Sequence, residues 1–314
     1  MNHQQLEYII AVDTYRHFAK AAEVSFVTQP TLSAMIQKLE DELNIKIFDR
    51  SHQPVIPTAG GRAIIDQAKI ILQEASRLKE IVNEMSQELE GEISIGIIPT
   101  VAPYLLPLFL HEFLIKYPLL KLKVVEFNTE EIIKRLHNHT LDAGILATPL
   151  YYKDLNEHVL FYEEFLVYAS DTEKLMQKKL VIPADIDPER LWLLEEGHCL
   201  RSQIVNLCEL RKKDLQSGNF EYEAGSIETL KKMVDINKGV TILPELAVKD
   251  LSTTEKKNTR HFKSPVPVRE ISIVTSKYFV KNRMLTIIQQ EIKNVLPQEM
   301  LSAERKVITK LRIA

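Results

Sequence analysis

Apolar positions in residues 1–57 recur at helical spacing in three short segments and then alternate over a few residues. The third segment has Thr28 placed as an N-cap and Pro30 in its first turn, which is typical of a helix start. Two short strands, 45–48 and 55–56, follow around a polar turn. The pattern therefore predicts helix, turn, helix and hairpin. The stripe of the third helix consists of Leu32, Ile36, Leu39 and Leu43.

Residues 58–90 carry the most regular pattern in the chain. Thr58 is placed as an N-cap and Gly91 ends the run. The apolar positions are spaced alternately four and three residues apart. Such a narrow heptad seam needs a partner helix to bury it, so it favours a dimerising linker over a helix lying on its own domain. The seam consists of Ile64, Ala68, Ile71, Ala75, Leu78, Val82, Met85 and Leu89.

Residues 92–300 alternate between strand and helix patterns, which predicts an α/β architecture with a mainly parallel sheet. The length favours two α/β lobes with a cleft that binds a small ligand. The predicted strands are 93–98, 120–127, 142–147, 165–168, 192–194, 240–243 and 271–274. The predicted helices are 107–117, 130–138, 226–237 and 283–295.

Composition excludes several classes of protein. The chain has 314 residues, of which 45% are hydrophobic and 26% charged, so it should fold into two or three packed domains. Its two cysteines exclude a disulfide-stapled scaffold and a four-cysteine metal centre, and no metal or other cofactor is predicted. The start lacks a signal-peptide pattern, which predicts a cytoplasmic protein. Three prolines interrupt the uncharged run 93–110, which argues against a membrane span.

Helix, turn, helix and hairpin is the layout of a winged helix-turn-helix. The second helix of that motif, which is the third helix of this chain, enters the major groove. Thr31, Ser33, Gln37 and Lys38 suit base edges and phosphates, and Arg50 in the turn suits a phosphate or the minor groove. Charge gives no support, because residues 1–62 carry six Lys and Arg against seven Asp and Glu. A helical protein-interaction module is the alternative. A single head should bind DNA weakly, and a dimer would double the number of contacts.

Five segments closely resemble the start of LysR-type transcriptional regulators: 18–22, 28–33, 36–43, 48–50 and 58–60. The resemblance adds Thr28, Gln29 and Pro30 to the candidate DNA contacts. It implies a two-lobed effector domain like a type 2 periplasmic binding protein, and assembly as a homodimer and homotetramer. The implied partners are promoter DNA and RNA polymerase, and the implied protein is not an enzyme.

The resemblance divides the chain into four parts. Residues 1–57 form the DNA-binding domain, 58–90 the linker helix, 91–300 the regulatory domain and 301–314 a basic tail. Lobe I spans about 91–161 and 269–300, and lobe II about 162–268.

Cys199 and Cys208 lie nine residues apart in a segment with helical spacing of apolar positions. On one helix their Cα atoms would be about 13.5 Å apart along the axis, whereas a disulfide needs roughly 4.4–6.8 Å. A bridge would therefore require this helix to unwind, which makes the pair a candidate switch. Cys199 is the better nucleophile, because a first helical turn favours a thiolate and His198 and Arg201 are adjacent. Two inert buried thiols are the alternative.

The segment Gly197–Arg201 with a second cysteine at Cys208 resembles the hydrogen-peroxide-sensing members of the LysR family, as do 98–107, 226–230 and 239–244. That resemblance implies that Cys199 is peroxidatic and Cys208 resolving. It also implies that a glutaredoxin-type or thioredoxin-type reductant resets the pair. The implied peroxide pocket consists of Thr100, Thr129, His198 and Arg269. Each has another interpretation: Thr100 as a turn cap, Thr129 as the N-cap of 130–138, His198 bound to loop backbone and Arg269 as a surface charge.

Three other functions compete with peroxide sensing. A LysR-type regulator could bind a small organic effector in its cleft, with incidental cysteines. A two-cysteine thiol peroxidase would not need the first 90 residues. A secreted solute-binding protein would need a signal peptide.

Overall fold

The computed structural model describes residues 1–85, 89–210, 224–304 and 306–309. The chain divides into two compact units, Met1–Glu88 with Tyr278–Lys281, and Leu89–Lys277 with Asn282–Ala314. The elements of the first unit are α1 (His3–Tyr15), α2 (Phe18–Val24), α3 (Gln29–Leu43), β1 (Phe48–Asp49), β2 (Ile56–Pro57) and α4 (Ala59–Met85).

Polar caps begin the helices of the first unit. The side chain of Asn2 accepts the N–H of Gln5 at the start of α1, and Thr28 caps α3 as predicted, with Pro30 in its first turn. Leu32, Ile36 and Leu39 of α3 are fully buried in the core between the helices. Leu43 is partly exposed, contrary to the predicted stripe, because α3 ends there in the left-handed cap Asn44.

The helix α4 has a buried first part and an exposed later part. Its N-cap is Thr58, whose hydroxyl accepts the N–H of Gly61, and Ile65 and Ala68 pack into the core of the first unit. Farther along, Leu78 is 67% exposed. The seam therefore leaves apolar surface uncovered in the single chain. The side chains of Val82 and Met85 lie outside the described part of the structure.

The second unit contains a nine-stranded mixed sheet with helices packed against it. Its strands are β3 (Gly91–Ile97), β4 (Leu120–Glu126), β5 (Ala143–Thr148), β6 (Leu155–Ala169), β7 (Leu180–Val181), β8 (Val240–Pro244), β9 (Thr259–Phe262), β10 (Val266–Ser276) and β11 (Lys306–Ile308). Its helices are α5 (Ala102–Lys116), α6 (Thr129–His137), α7 (Cys199–Leu207), α8 (Ile227–Asn237), α9 (Glu245–Lys249), α10 (Thr253–Lys256) and α11 (Asn282–Val295).

The prediction of a mainly parallel sheet was wrong. The strands β3, β4 and β5 are parallel, but β10 runs antiparallel to both β5 and β6, and β6 runs antiparallel to β8 and β9. Strand direction depends on how the chain returns to the sheet, which apolar periodicity does not reveal. The strand β6 pairs with β10 through its first part and with β8 and β9 through its last, so it links both parts of the sheet.

Most predicted elements are present. The helix predicted at 107–117 begins at Ala102 and the strand predicted at 271–274 at Val266, and three other predictions differ more. The strand predicted at 165–168 begins ten residues earlier, at Leu155. The strand predicted at 192–194 is absent, and Leu191 and Leu194 make only isolated bridges. Part of the predicted basic tail forms β11, which pairs with β10. None of the described helices is long and apolar enough to cross a membrane.

Candidate functional site

The outward surface of α3 presents most of the predicted DNA contacts to solvent. Thr28, Gln29, Pro30, Thr31 and Lys38 are exposed, and Ser33 and Gln37 are half-buried. The hydroxyls of Thr28 and Thr31 are hydrogen-bonded to each other at 2.8 Å, and that of Thr28 also accepts the N–H of Thr31 as the N-cap of α3. The Gln37 amide donates to Asp41 across 2.7 Å. The exposed surface of α3 is polar, as a major-groove reading head requires.

Arg50 is held against α3 rather than extending freely from the hairpin. Its guanidinium donates to Ser33 Oγ at 3.1 Å and to Glu40 Oε2 at 3.4 Å, and it lies over the Phe18 ring. Glu40 is buried and also accepts the N–H groups of Ile47 and Phe48. Glu40 was only one of the seven acidic residues counted in residues 1–62, whereas the structure shows that it joins α3 to the hairpin.

The segment that carries both cysteines is helical, as predicted. The helix α7 begins at Cys199 and its C-cap is Cys208, and both thiols are free. Their Cα atoms are therefore about 13.5 Å apart along the axis, too far for a disulfide. Gly197 precedes the helix with a φ of +92°, a left-handed conformation that favours glycine. The reduced state and the bridged state need different backbones in this segment.

Cys199 is buried beside a small set of polar groups. Burial raises the pKa of its thiol, and the Arg269 guanidinium, the Thr129 hydroxyl and the N–H groups of Ala147 and Leu200 oppose that rise. The net direction differs from the expectation that a first-turn cysteine favours the thiolate, because desolvation of the charged form is larger than the combined attraction. Burial therefore favours the neutral thiol of Cys199, whereas the groups around it stabilise negative charge.

Thr129 is not the N-cap of α6. That role belongs to Asn128, whose side chain accepts the N–H of Glu131 at 2.9 Å. Thr129 is the first helical residue, and its buried hydroxyl lies near the Cys199 thiol without a regular hydrogen-bond partner among the described residues. A buried hydroxyl without a regular partner is uncommon, and this one can serve the Cys199 sulfur or a small polar molecule beside it.

Arg269 is fully buried, so the interpretation as a surface charge was wrong. It donates from Nη1 to Thr100 Oγ1 and from Nη2 to the Thr100 carbonyl, both at 3.0 Å. Its Nε donates to Glu163 Oε2 at 2.8 Å. The structure therefore brings Thr100, Thr129, Arg269 and Cys199 together. Glu163 belongs to the same cluster but was missed, because only strand pairing places it there.

The two remaining predicted neighbours of Cys199 contact other groups. His198 is the N-cap residue of α7, and its Nε2 lies 3.5 Å from Glu195 Oε1. Arg201 donates to the Leu194 carbonyl at 2.7 Å, which ties α7 to the preceding loop. Arg201 is therefore engaged in structure rather than directed at the thiol.

Cys208 differs from Cys199 in its surroundings. It is half-buried, and burial alone raises the pKa of its thiol to about 12. Within the described ranges, no group of three or more His, Cys, Asp or Glu side chains could hold a metal ion.

Comparison with known proteins matches residues 3–62 to the bacterial regulatory helix-turn-helix protein, lysR family, and residues 86–284 to the LysR substrate binding domain. The hydrogen peroxide-inducible genes activator of Haemophilus influenzae is 34% identical over 94% of this chain and 99% of its own length. The DNA-binding transcriptional dual regulator OxyR of Escherichia coli is 37% identical over 79% of this chain and 80% of its own.

Among solved structures, a full-length OxyR variant from Pseudomonas aeruginosa superposes with a TM-score of 0.73 at 31% identity. The alignment covers 93% of this chain and 98% of that one. These matches confirm the predicted fold class, a helix-turn-helix domain followed by an α/β effector domain. The chain belongs to the LysR family of bacterial regulatory helix-turn-helix proteins.

Proposed function

We propose that this protein is a DNA-binding transcriptional regulator that senses hydrogen peroxide through reversible formation of a Cys199–Cys208 disulfide. The observation that carries the proposal is the buried cluster around Cys199, in which Arg269 and the orphan Thr129 hydroxyl surround a thiol that begins a helix. The similarity to relatives named as peroxide-inducible activators supports the same conclusion.

The cluster suits the reaction of a thiol with peroxide. The Cys199 sulfur attacks one peroxide oxygen, forming the S–O bond as the O–O bond breaks, and the thiol proton leaves with the second oxygen as water. Thr129, Thr100 and Arg269 stabilise the charge that develops on the departing oxygen. The product is a sulfenic acid on Cys199.

Closure of the disulfide requires α7 to open. The Cys208 sulfur then attacks the sulfenic sulfur, forming the S–S bond and releasing a second water. Unwinding α7 repacks the regulatory domain and changes the spacing of the DNA-reading heads in a homodimer or homotetramer. The altered assembly would engage RNA polymerase at promoter DNA. A glutaredoxin-type or thioredoxin-type reductant restores the two thiols by exchange.

The reading head proposed here consists of the exposed residues of α3 and of Arg50, and α4 supplies the dimer contact. Exposed apolar surface on α4, above all at Leu78, supports burial against a second copy of the chain. Phosphate contacts position such a head and base contacts specify its site.

Peroxide sensing is tested by treating the full-length protein with a near-stoichiometric dose of peroxide. We expect intact mass to fall by about 2 Da as the two thiols are lost, and the promoter footprint to change. In Cys208→Ser the sulfenic acid should persist and react with dimedone, whereas Cys199→Ser should do neither.

The same experiment separates the competing functions. A peroxide response that survives in Cys199→Ser, or an identical footprint in both redox states, would contradict the proposal. A LysR-type regulator with an organic effector would keep both thiols at this dose. Sustained peroxide turnover with a thiol reductant, without any DNA response, would identify a thiol peroxidase.

A further inference from the structure

We propose that Glu163 is a positioning residue for Cys199 and acts through Arg269. It holds the guanidinium by its Nε edge and shares its charge, so that the thiol receives only part of that charge. The inference rests on the proposed peroxide reaction at Cys199, which does not itself assign Glu163 a role.

Strand register fixes the pairing of the two charged residues. Arg269 of β10 lies directly opposite Glu163 of β6 in the antiparallel ladder, and both side chains are fully buried. Opposed residues on one face of a sheet have adjacent Cβ atoms, so opposite charges there attract directly. The pair forms on the rigid central part of the sheet rather than on a loop, which restricts its movement.

Each oxygen of the Glu163 carboxylate has its own partner. Oε2 accepts from Arg269 Nε at 2.8 Å, and Oε1 accepts the backbone N–H of Leu246 at 2.7 Å. The carboxylate cannot rotate without losing one of these bonds. The fixed carboxylate leaves the two Nη atoms of Arg269 to face Thr100, which they contact through the side chain and the backbone.

Charge connects this pair to the thiol. A guanidinium stays positive when buried and is stabilised by a counter-ion. Within the described part of the chain, Glu163 is the carboxylate that forms an ion pair with Arg269. A Cys199 thiolate would be a second anion competing for the same cation, because Arg269 lowers the pKa of that thiol. Neutralising Glu163 should therefore increase the stabilisation that Arg269 gives to the thiolate.

Other titratable groups surround the cluster and must be considered in the test. Glu245 of α9 raises the pKa of Glu163, as burial does to a larger extent, and Tyr104 of α5 lies within the field of Arg269. Tyr104 is paired with Glu228 of α8, and His198 adjoins Cys199 in the chain. These groups remain unchanged in the variants below, so a difference between variants reports on Glu163.

The test measures the pH midpoint of Cys199 alkylation by iodoacetamide in the full-length protein with Cys208→Ser. We expect Glu163→Gln to lower the midpoint by about one pH unit, a tenfold change in the thiolate fraction. Glu164→Gln is the matched control, since neighbouring residues of a strand point to opposite faces. Glu164 is partly exposed and faces His261, so its variant should keep the original midpoint.

Two further variants decide between mechanisms. In an Arg269→Gln background, adding Glu163→Gln should cause no further shift, and a persisting shift would show that Glu163 acts directly on the thiol. Glu163→Asp keeps the charge farther from the guanidinium and should lower the midpoint by less than Glu163→Gln. If Glu163→Gln does not fold, the Asp variant decides alone.

The proposal would be overturned if folded Glu163 variants showed an unchanged or raised alkylation midpoint and only a lower melting temperature. The pair of Glu163 and Arg269 would then have a structural role alone. Alkylation uses no peroxide, so its outcome is independent of whether Cys199 proves to be the peroxide-reactive thiol. A failure of peroxide sensing in the Cys199→Ser comparison would therefore be recognised separately.

Discussion

At the scale of single residues, reactivity is set by what surrounds Cys199 rather than by the cysteine itself. Burial opposes ionisation, and Arg269, Thr129 and two backbone N–H groups favour it. Burial thus favours the neutral thiol, and the same neighbours are donors that would stabilise negative charge in the proposed attack on peroxide. The net effect of these groups could not be predicted from the residues adjacent in sequence, since Arg201 contacts a loop carbonyl instead.

Thr129→Val should slow the reaction of Cys199 with peroxide by about 10- to 100-fold, because it removes an electrostatic donor while nearly keeping side-chain volume. Stopped-flow measurement of the second-order rate constant checks this expectation. Thr140→Val is the matched control, since Thr140 is exposed and donates to the Arg135 carbonyl. Equal rates in the two variants would exclude Thr129 from the reaction.

At the scale of elements, α7 and β11 are coupled. Gln203 lies in the middle of α7 and is fully buried, and its Nε2 donates to the Thr309 carbonyl at 3.2 Å. Thr309 follows β11, and its N–H donates to the Val268 carbonyl of β10 at 2.8 Å. The residue after Val268 is Arg269, so the helix that carries the two cysteines and the strand that carries the guanidinium share one anchoring segment. From the sequence, residues 301–314, which include β11 and Thr309, were predicted only to be a basic tail.

Gln203→Ala should lower the melting temperature of the reduced protein by several degrees, since it removes a buried hydrogen bond and side-chain volume worth about 1–3 kcal/mol. Differential scanning calorimetry measures the shift. The penalty should shrink in the oxidised protein, because the disulfide requires α7 to open. Gln290→Ala, an exposed glutamine on α11, should change stability little. An equal penalty in both redox states would show that α7 stays intact on oxidation.

At the scale of the whole molecule, we expect DNA binding to depend on a second copy of the chain. The first 62 residues carry a net charge of −1, so one reading head has little electrostatic attraction for DNA. A dimer through α4 would join two heads and bury the apolar seam of that helix.

Leu78→Glu should shift the protein from dimer toward monomer at micromolar concentration and weaken promoter binding at least tenfold, because a buried charge in the seam is unfavourable. Light scattering after size-exclusion chromatography and a DNA titration at fixed salt measure both effects. Gln67→Glu introduces the same charge at an exposed position outside the seam and should leave both unchanged. A dimer that survives Leu78→Glu would place the contact elsewhere.

The sequence by itself determined the order of most elements, the caps at Thr28 and Thr58, the helix between the two cysteines and membership of the LysR family. These features depend on local periodicity and short motifs, which neighbouring residues specify. Only the tertiary structure decided the strand directions, the burial of Arg269, the opposition of Glu163 to it and the role of Asn128 in place of Thr129. These depend on pairing between residues more than a hundred positions apart or on competition between adjacent caps, and local pattern specifies neither.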